Sequence, residues 1–152
     1  KGERQMTRPF IIRLLFMILG YALAVLVATT VVVLIQGAPT VFPDQGAWGS
    51  FYRYLNDFPA MFVFGLMMTA IYGLPGWLIS VVIAEWQGKR GKYWFAIAGV
   101  LTALLAILIA SRFQRLFDDW LMNGGILVGG FCGGLAYWSV AGKTSANWKK
   151  TA

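Results

Sequence analysis

Charged residues are absent from four long stretches of the chain: Leu14–Pro43, Phe58–Ala84, Tyr93–Ser111 and Trp120–Gly142. A helix rises about 1.5 Å per residue and a bilayer's hydrocarbon core is about 30 Å thick, so roughly 20 residues are needed to cross. Each stretch reaches that length, the third only just. Backbone buried in lipid must satisfy its own hydrogen bonds, which leaves helices or a closed barrel. Continuous apolar runs without period-two alternation select helices. The pattern predicts an all-α integral membrane protein, a single domain over residues 1–152, with four transmembrane helices near 10–36, 58–85, 93–112 and 120–142. The first helix has the basic flank and Ala-x-Ala pattern (Ala22, Ala24) of a signal peptide. Its apolar run continues to Ile35, well beyond the 7–15 residues of a secretory core, which predicts a retained helix.

The connections differ in character. Gln87 to Lys92 reads Gln-Gly-Lys-Arg-Gly-Lys, a tight turn that makes helices two and three an antiparallel hairpin. The connection between helices one and two is long, and Pro39, Pro43, Gly46 and Gly49 predict an irregular first half. Its second half carries Phe51, Tyr54, Leu55 and Phe58 at helical spacing, which predicts a short helix lying on the membrane surface. Phe113, Leu116, Phe117 and Trp120 repeat that stripe between helices three and four. A second interfacial helix and a simple extension of helix three fit it equally well.

Composition narrows the chemistry. Apolar residues make up 59% of the chain and charged residues 12%, against about 25% charged in a soluble domain. The mean hydropathy is +0.66. There is no histidine and one cysteine, Cys132. That excludes His-ligated haem, a Cys/His zinc cluster, a histidine general base and any intrachain disulfide. No cofactor is expected. No ionisable residue falls at mid-membrane depth, which argues against a proton-coupled carrier or pump. Asp118 and Asp119 are adjacent but have no third metal ligand near them in sequence. Met61, Met67 and Met68 suit apolar packing better than copper.

The charges also set a direction. With four spans, the N-terminal segment, the second connection and the C-terminal tail share one side. Together they carry ten basic residues and two acids (Glu3, Glu85); the other side carries three basic residues and four acids. The positive-inside rule places both termini in the cytoplasm. The net charge of +7 is then a topology signal and calls for no nucleic acid. The partners it implies are membrane lipids, with Arg4, Arg8, Arg13, Lys89, Arg90, Lys92 and Lys143 meeting anionic headgroups on the cytoplasmic side. Tryptophan and tyrosine support the same map: Trp48, Tyr52, Tyr54 and Trp120 fall at one boundary, and Trp86, Tyr93, Trp94, Tyr137 and Trp138 at the other.

Two features lie inside the spans. Gly125, Gly129 and Gly133 repeat every fourth residue in helix four, with Gly130 and Gly134 expected at the edge of the same contact. Glycines four apart make a groove that admits another backbone. The groove's occupant is a helix of this chain, of a second copy or of another protein. Helix two contains Gly73, Pro75 and Gly76. Pro75 cannot donate to the carbonyl of Ile71, which predicts a kink. The pattern is similar to that of many small bacterial inner-membrane proteins. The function it implies is a non-catalytic inner-membrane subunit that packs against other transmembrane helices, of partner subunits or of itself, in a larger complex. The alternative is a small oligomeric channel or carrier built around the Pro75 kink. A membrane enzyme is the weakest of the three.

Overall fold

The computed structural model describes residues 3–41, 47–88, 90–111 and 120–144. Four helices follow in order: α1 (Glu3–Val41), α2 (Ala47–Gln87), α3 (Lys92–Ser111) and α4 (Trp120–Val140), with a short 3-10 turn at Gly142–Thr144. No strand occurs among the described residues. Stretches of α1, α2 and α3 are long and apolar enough to cross a membrane: Ile11–Gln36, Tyr54–Gln87 and Lys92–Ile109. α4 has 21 residues and no charged one, but its six glycines and Asn123 dilute its hydropathy, and it is not among them.

The helices run up and down in a ring. Arg13 meets Glu85, Thr29 meets Thr69 and Tyr54 meets Val33, so α1 and α2 are antiparallel. Gly125, Gly129 and Gly133 of α4 lie opposite Ile35, Ala28 and Ala24 of α1, again in reverse order. α3 and α4 pair the same way, through Gly99 with Gly130 and Phe95 with Gly134. α4 is wedged between α1 and α3, and α2 closes the ring with smaller contacts to both.

Helix lengths divide the bundle. α1 and α2 have 39 and 41 residues, about 60 Å each, twice the hydrocarbon thickness. α3 and α4 have 20 and 21, about 30 Å. The long pair therefore projects beyond the short pair. Two sequence expectations change here. α1 continues through Pro39 to Val41, and α2 already begins at Ala47, so helix covers Pro39 and Gly49 of the segment expected to be irregular; residues 42–46 lie outside the described residues. The separate surface helix expected around Phe51–Phe58 is instead the first turns of α2, continuous with the span. Pro59 removes one backbone hydrogen bond, but its fixed φ is helical. The Tyr54 hydroxyl donates to the Val33 carbonyl at 3.1 Å, which holds the segment against α1. Within α2 the Phe58 ring meets Tyr54 edge-on and stacks with Phe62, with centroids 5.8 and 5.7 Å apart. The second stripe, residues 113–119, lies outside the described residues.

α2 ends at Gly88, whose φ of 67° is left-handed and closes the helix where a side chain would be strained. The densest packing sits at this end, where Val81, Ala84, Phe95, Tyr137 and Ala141 form a buried cluster. Tyr137 is 5% exposed. It is part of that core and does not face the boundary, whereas Trp86 and Tyr93 are exposed as interface anchors would be.

Candidate functional site

Two arrangements stand out: the seams that hold α4, and the space α2 leaves beside it.

The first seam joins α4 to α1. A Cβ placed at Gly129 would lie 2.9 Å from the Ala28 carbonyl oxygen, and one at Gly133 would lie 2.9 Å from that of Ala24. At Gly125 the neighbour is the Ile35 side chain, at 3.2 Å. The second seam joins α4 to α3. A Cβ at Gly130 would lie 2.6 Å from both the Gly99 oxygen and the Ala103 Cβ, and one at Gly134 would collide with the Phe95 carbonyl. Gly130 and Gly134 thus form a contact of their own and are not the edge of the first. Successive residues of a helix are rotated by about 100°, so the adjacent glycines Gly129 and Gly130, and likewise Gly133 and Gly134, serve different helices. Both grooves are filled by helices of this same chain. Their counterparts were also present in the sequence: Gly20, Ala24 and Ala28 are four apart in α1, and Gly99 and Ala103 are four apart in α3. Gly20 completes the first seam, its Cβ position 3.0 Å from Ala141 Cβ and the Tyr137 ring.

At the Gly88 end, α1, α2 and α4 are tied by one side chain. The Arg13 guanidinium pairs with Glu85, its Nε donating to the carboxylate at 3.1 Å. Its Nη1 donates to the Ala141 carbonyl at 2.9 Å, at the negative end of α4. The two charged side chains are 12% and 15% exposed. Arg13 is therefore committed to the bundle, a role its place beside a span does not reveal. The charge of Glu85 at the end of an apolar run was the available signal.

Other predicted contacts separate. Lys92 and Lys143 are exposed, with their ammonium groups 5.1 Å from the Tyr93 ring centroid and 4.6 Å from that of Trp138. Arg90 is half-buried, and its carbonyl accepts from the Trp138 indole at 2.9 Å. Lys89 and the side chains of Arg4 and Arg8 lie outside the described residues. α2 passes through Pro75 as one helix. Pro75 and Ile71 are both on its exposed face, so the carbonyl that Pro75 releases points away from the bundle interior. Gly76 is buried against Thr102 of α3, while a Cβ at Gly73 would meet only the Tyr21 hydroxyl, at 3.7 Å.

The bundle interior holds a crevice of about 470 Å³, walled by all four helices. It runs from Gln36, Met61 and Met122 at one end to Trp77 and Tyr137 at the other, where the buried cluster closes it. No charged residue lines it. The chain matches no protein-family model, no curated protein and no solved structure. Among the described residues, no group of three or more His, Cys, Asp or Glu side chains is placed to hold a metal ion. Cys132 is a free, half-buried thiol.

Proposed function

We propose that the chain is a non-catalytic subunit of a bacterial inner membrane that works by packing its α2 face against transmembrane helices of a larger complex. In this reading α4 is the fourth span, lying along α1 and α3 with its backbone shielded by theirs. The Gly88 end, both termini and the basic side chains face the cytoplasm and its anionic headgroups, in keeping with the ten-to-three division of Lys and Arg.

The observation that carries the reading is the outward ridge of α2. Val63, Met67, Ile71, Leu74, Leu78 and Val82 are each 43–64% exposed and follow one another at intervals of three or four residues. Such a row fits the groove of a neighbouring helix. The glycines of α4 are consumed within the chain; α1 and α3 also carry outward apolar side chains, such as Leu15, Leu19, Ile97 and Leu101, and the α2 row is continuous over six of them. The channel alternative draws less support, because Pro75 lies on this outer ridge and away from the interior.

Purification from native membranes in mild detergent, with mass identification of what accompanies the chain, tests the proposal. A membrane-protein partner is expected. The double substitution of Met67 and Leu74 by Ala should reduce its recovery to background while the chain unfolds at an unchanged temperature. Recovery of a lone monomer from native membranes overturns the reading. Cysteine labelling tests the orientation: a cysteine introduced at position 45 should react in intact cells, and reaction only after lysis reverses it.

A further inference from the structure

From Gln36 to Tyr21 on α1 the crevice extends about 22 Å at 1.5 Å per residue, so it is a slot running lengthwise within a hydrocarbon thickness of about 30 Å, where the surrounding solvent is acyl chain.

The chemistry of the walls agrees. The lining carries no charge, and small residues such as Ala28, Ala98, Gly99 and Ala103 open the space. Three of the seven hydroxyls in the wall are turned into the protein. Tyr21 donates to the Ala70 carbonyl at 2.5 Å, Thr29 to the Thr69 hydroxyl at 3.1 Å and Ser80 to the Gly76 carbonyl at 2.7 Å. A polar solute would find these groups already engaged, whereas a hydrocarbon asks nothing of them. An apolar cavity of only 150 Å³ stays dry and takes up apolar guests. Gln36, at the limit of the α1 span, puts that end of the crevice at the depth of a lipid headgroup.

We propose that the crevice is a lipid site: one acyl chain of a membrane phospholipid enters between Gln36, Met61 and Met122 and lies between α2 and the seams of α4, with its end against Trp77 and Tyr137. The chain fills the space that α2 leaves, so lipid becomes part of the bundle's core.

The test uses the full chain in phosphatidylcholine vesicles that contain a diazirine on one acyl chain. Photolysis and peptide mass analysis locate the attachment. Label is expected on crevice residues Met68, Tyr72 and Thr102 as well as on outward Ile71 and Leu78. Gly73→Phe fills the crevice near its closed end, where a Cβ meets only Tyr21, and Ala106→Leu fills it from α3 toward the Gln36 end. Ala106→Leu should abolish the crevice label and Gly73→Phe its part at Tyr72, and both should leave the outward label intact, which also reports that the variant is inserted. If Gly73→Phe does not fold, Ala106→Leu carries the test. Absence of crevice label in the unsubstituted chain, or its persistence in folded Ala106→Leu or at Tyr72 of folded Gly73→Phe, overturns the proposal.

Discussion

α4 and α2 are both glycine-containing helices of one bundle, yet they are held in opposite ways. Around Gly129, Gly130, Gly133 and Gly134, α4 meets carbonyl oxygens of α1 and α3. Around Gly65, Gly73 and Gly76, α2 meets side chains: Thr29, Tyr21 and Thr102. A backbone atom moves only if its helix moves, whereas a side chain changes rotamer at modest cost. α4 is thus fixed in depth and rotation by van der Waals fit, the main source of association in lipid. α2 is held through side chains, by Tyr54 and Glu85 near its ends and by the Tyr21 and Thr29 hydroxyls at Ala70 and Thr69 in its middle, with the crevice alongside and an apolar ridge on its outside. The same residue type therefore marks a rigid joint in one helix and an adaptable wall in the other.

The sharpest way to break this comparison is to add bulk to α4. Gly130→Leu must push α4 away from Gly99 and Ala103 together, and overpacking of a tight contact costs about 3 kcal/mol or more. The expected outcome is loss of the folded bundle, read as collapse of the thermal transition in detergent. Arg13→Leu comes next. It removes the cation facing Glu85 and the cap on Ala141. Loss of one partner of a buried pair costs 3–5 kcal/mol, and the partial exposure of this pair reduces that to about 2 kcal/mol. Hydrogen exchange should rise most in residues 81–87 of α2 and little in α4, whose seams remain. Equal loosening of both helices contradicts the distinction drawn between them.

Smaller effects separate positions within α2. Gly76→Ala brings a Cβ to within 2.7–2.9 Å of the Thr102 side chain and should cost about 1 kcal/mol, in the range of mild overpacking. Gly73→Ala meets no obstacle and should stabilise by about 0.5 kcal/mol through helix propensity. Opposite signs in the two unfolding midpoints confirm the packing difference, and equal signs refute it. The least effect is expected of Pro75→Ala. The ring faces outward and the helix is already continuous, so stability should change by less than about 1 kcal/mol. A large change there revives a functional role for the released carbonyl.

Much of the architecture was legible in the uncharged stretches, because the hydrocarbon thickness imposes both a length and a charge rule on every span. The starts and ends of α3 and α4 fall within two residues of the expected ones. α1 and α2 extend further than their apolar runs, since helix persists outside lipid wherever a neighbour packs on it, as Tyr54 does on Val33. The four-residue spacing of Gly125, Gly129 and Gly133 announced a close contact. Which backbone fills it depends on where α1 and α3 come to lie, and no local pattern states that. Arg13 reads in sequence as one more flanking cation; only folding brings it to Glu85, 72 residues away, and to Ala141. The crevice is the clearest case of what tertiary structure alone decides. Its walls are ordinary small and apolar residues, and the space exists because α1, α3 and α4 are locked together at the backbone while α2 joins them through side chains and does not fill the gap.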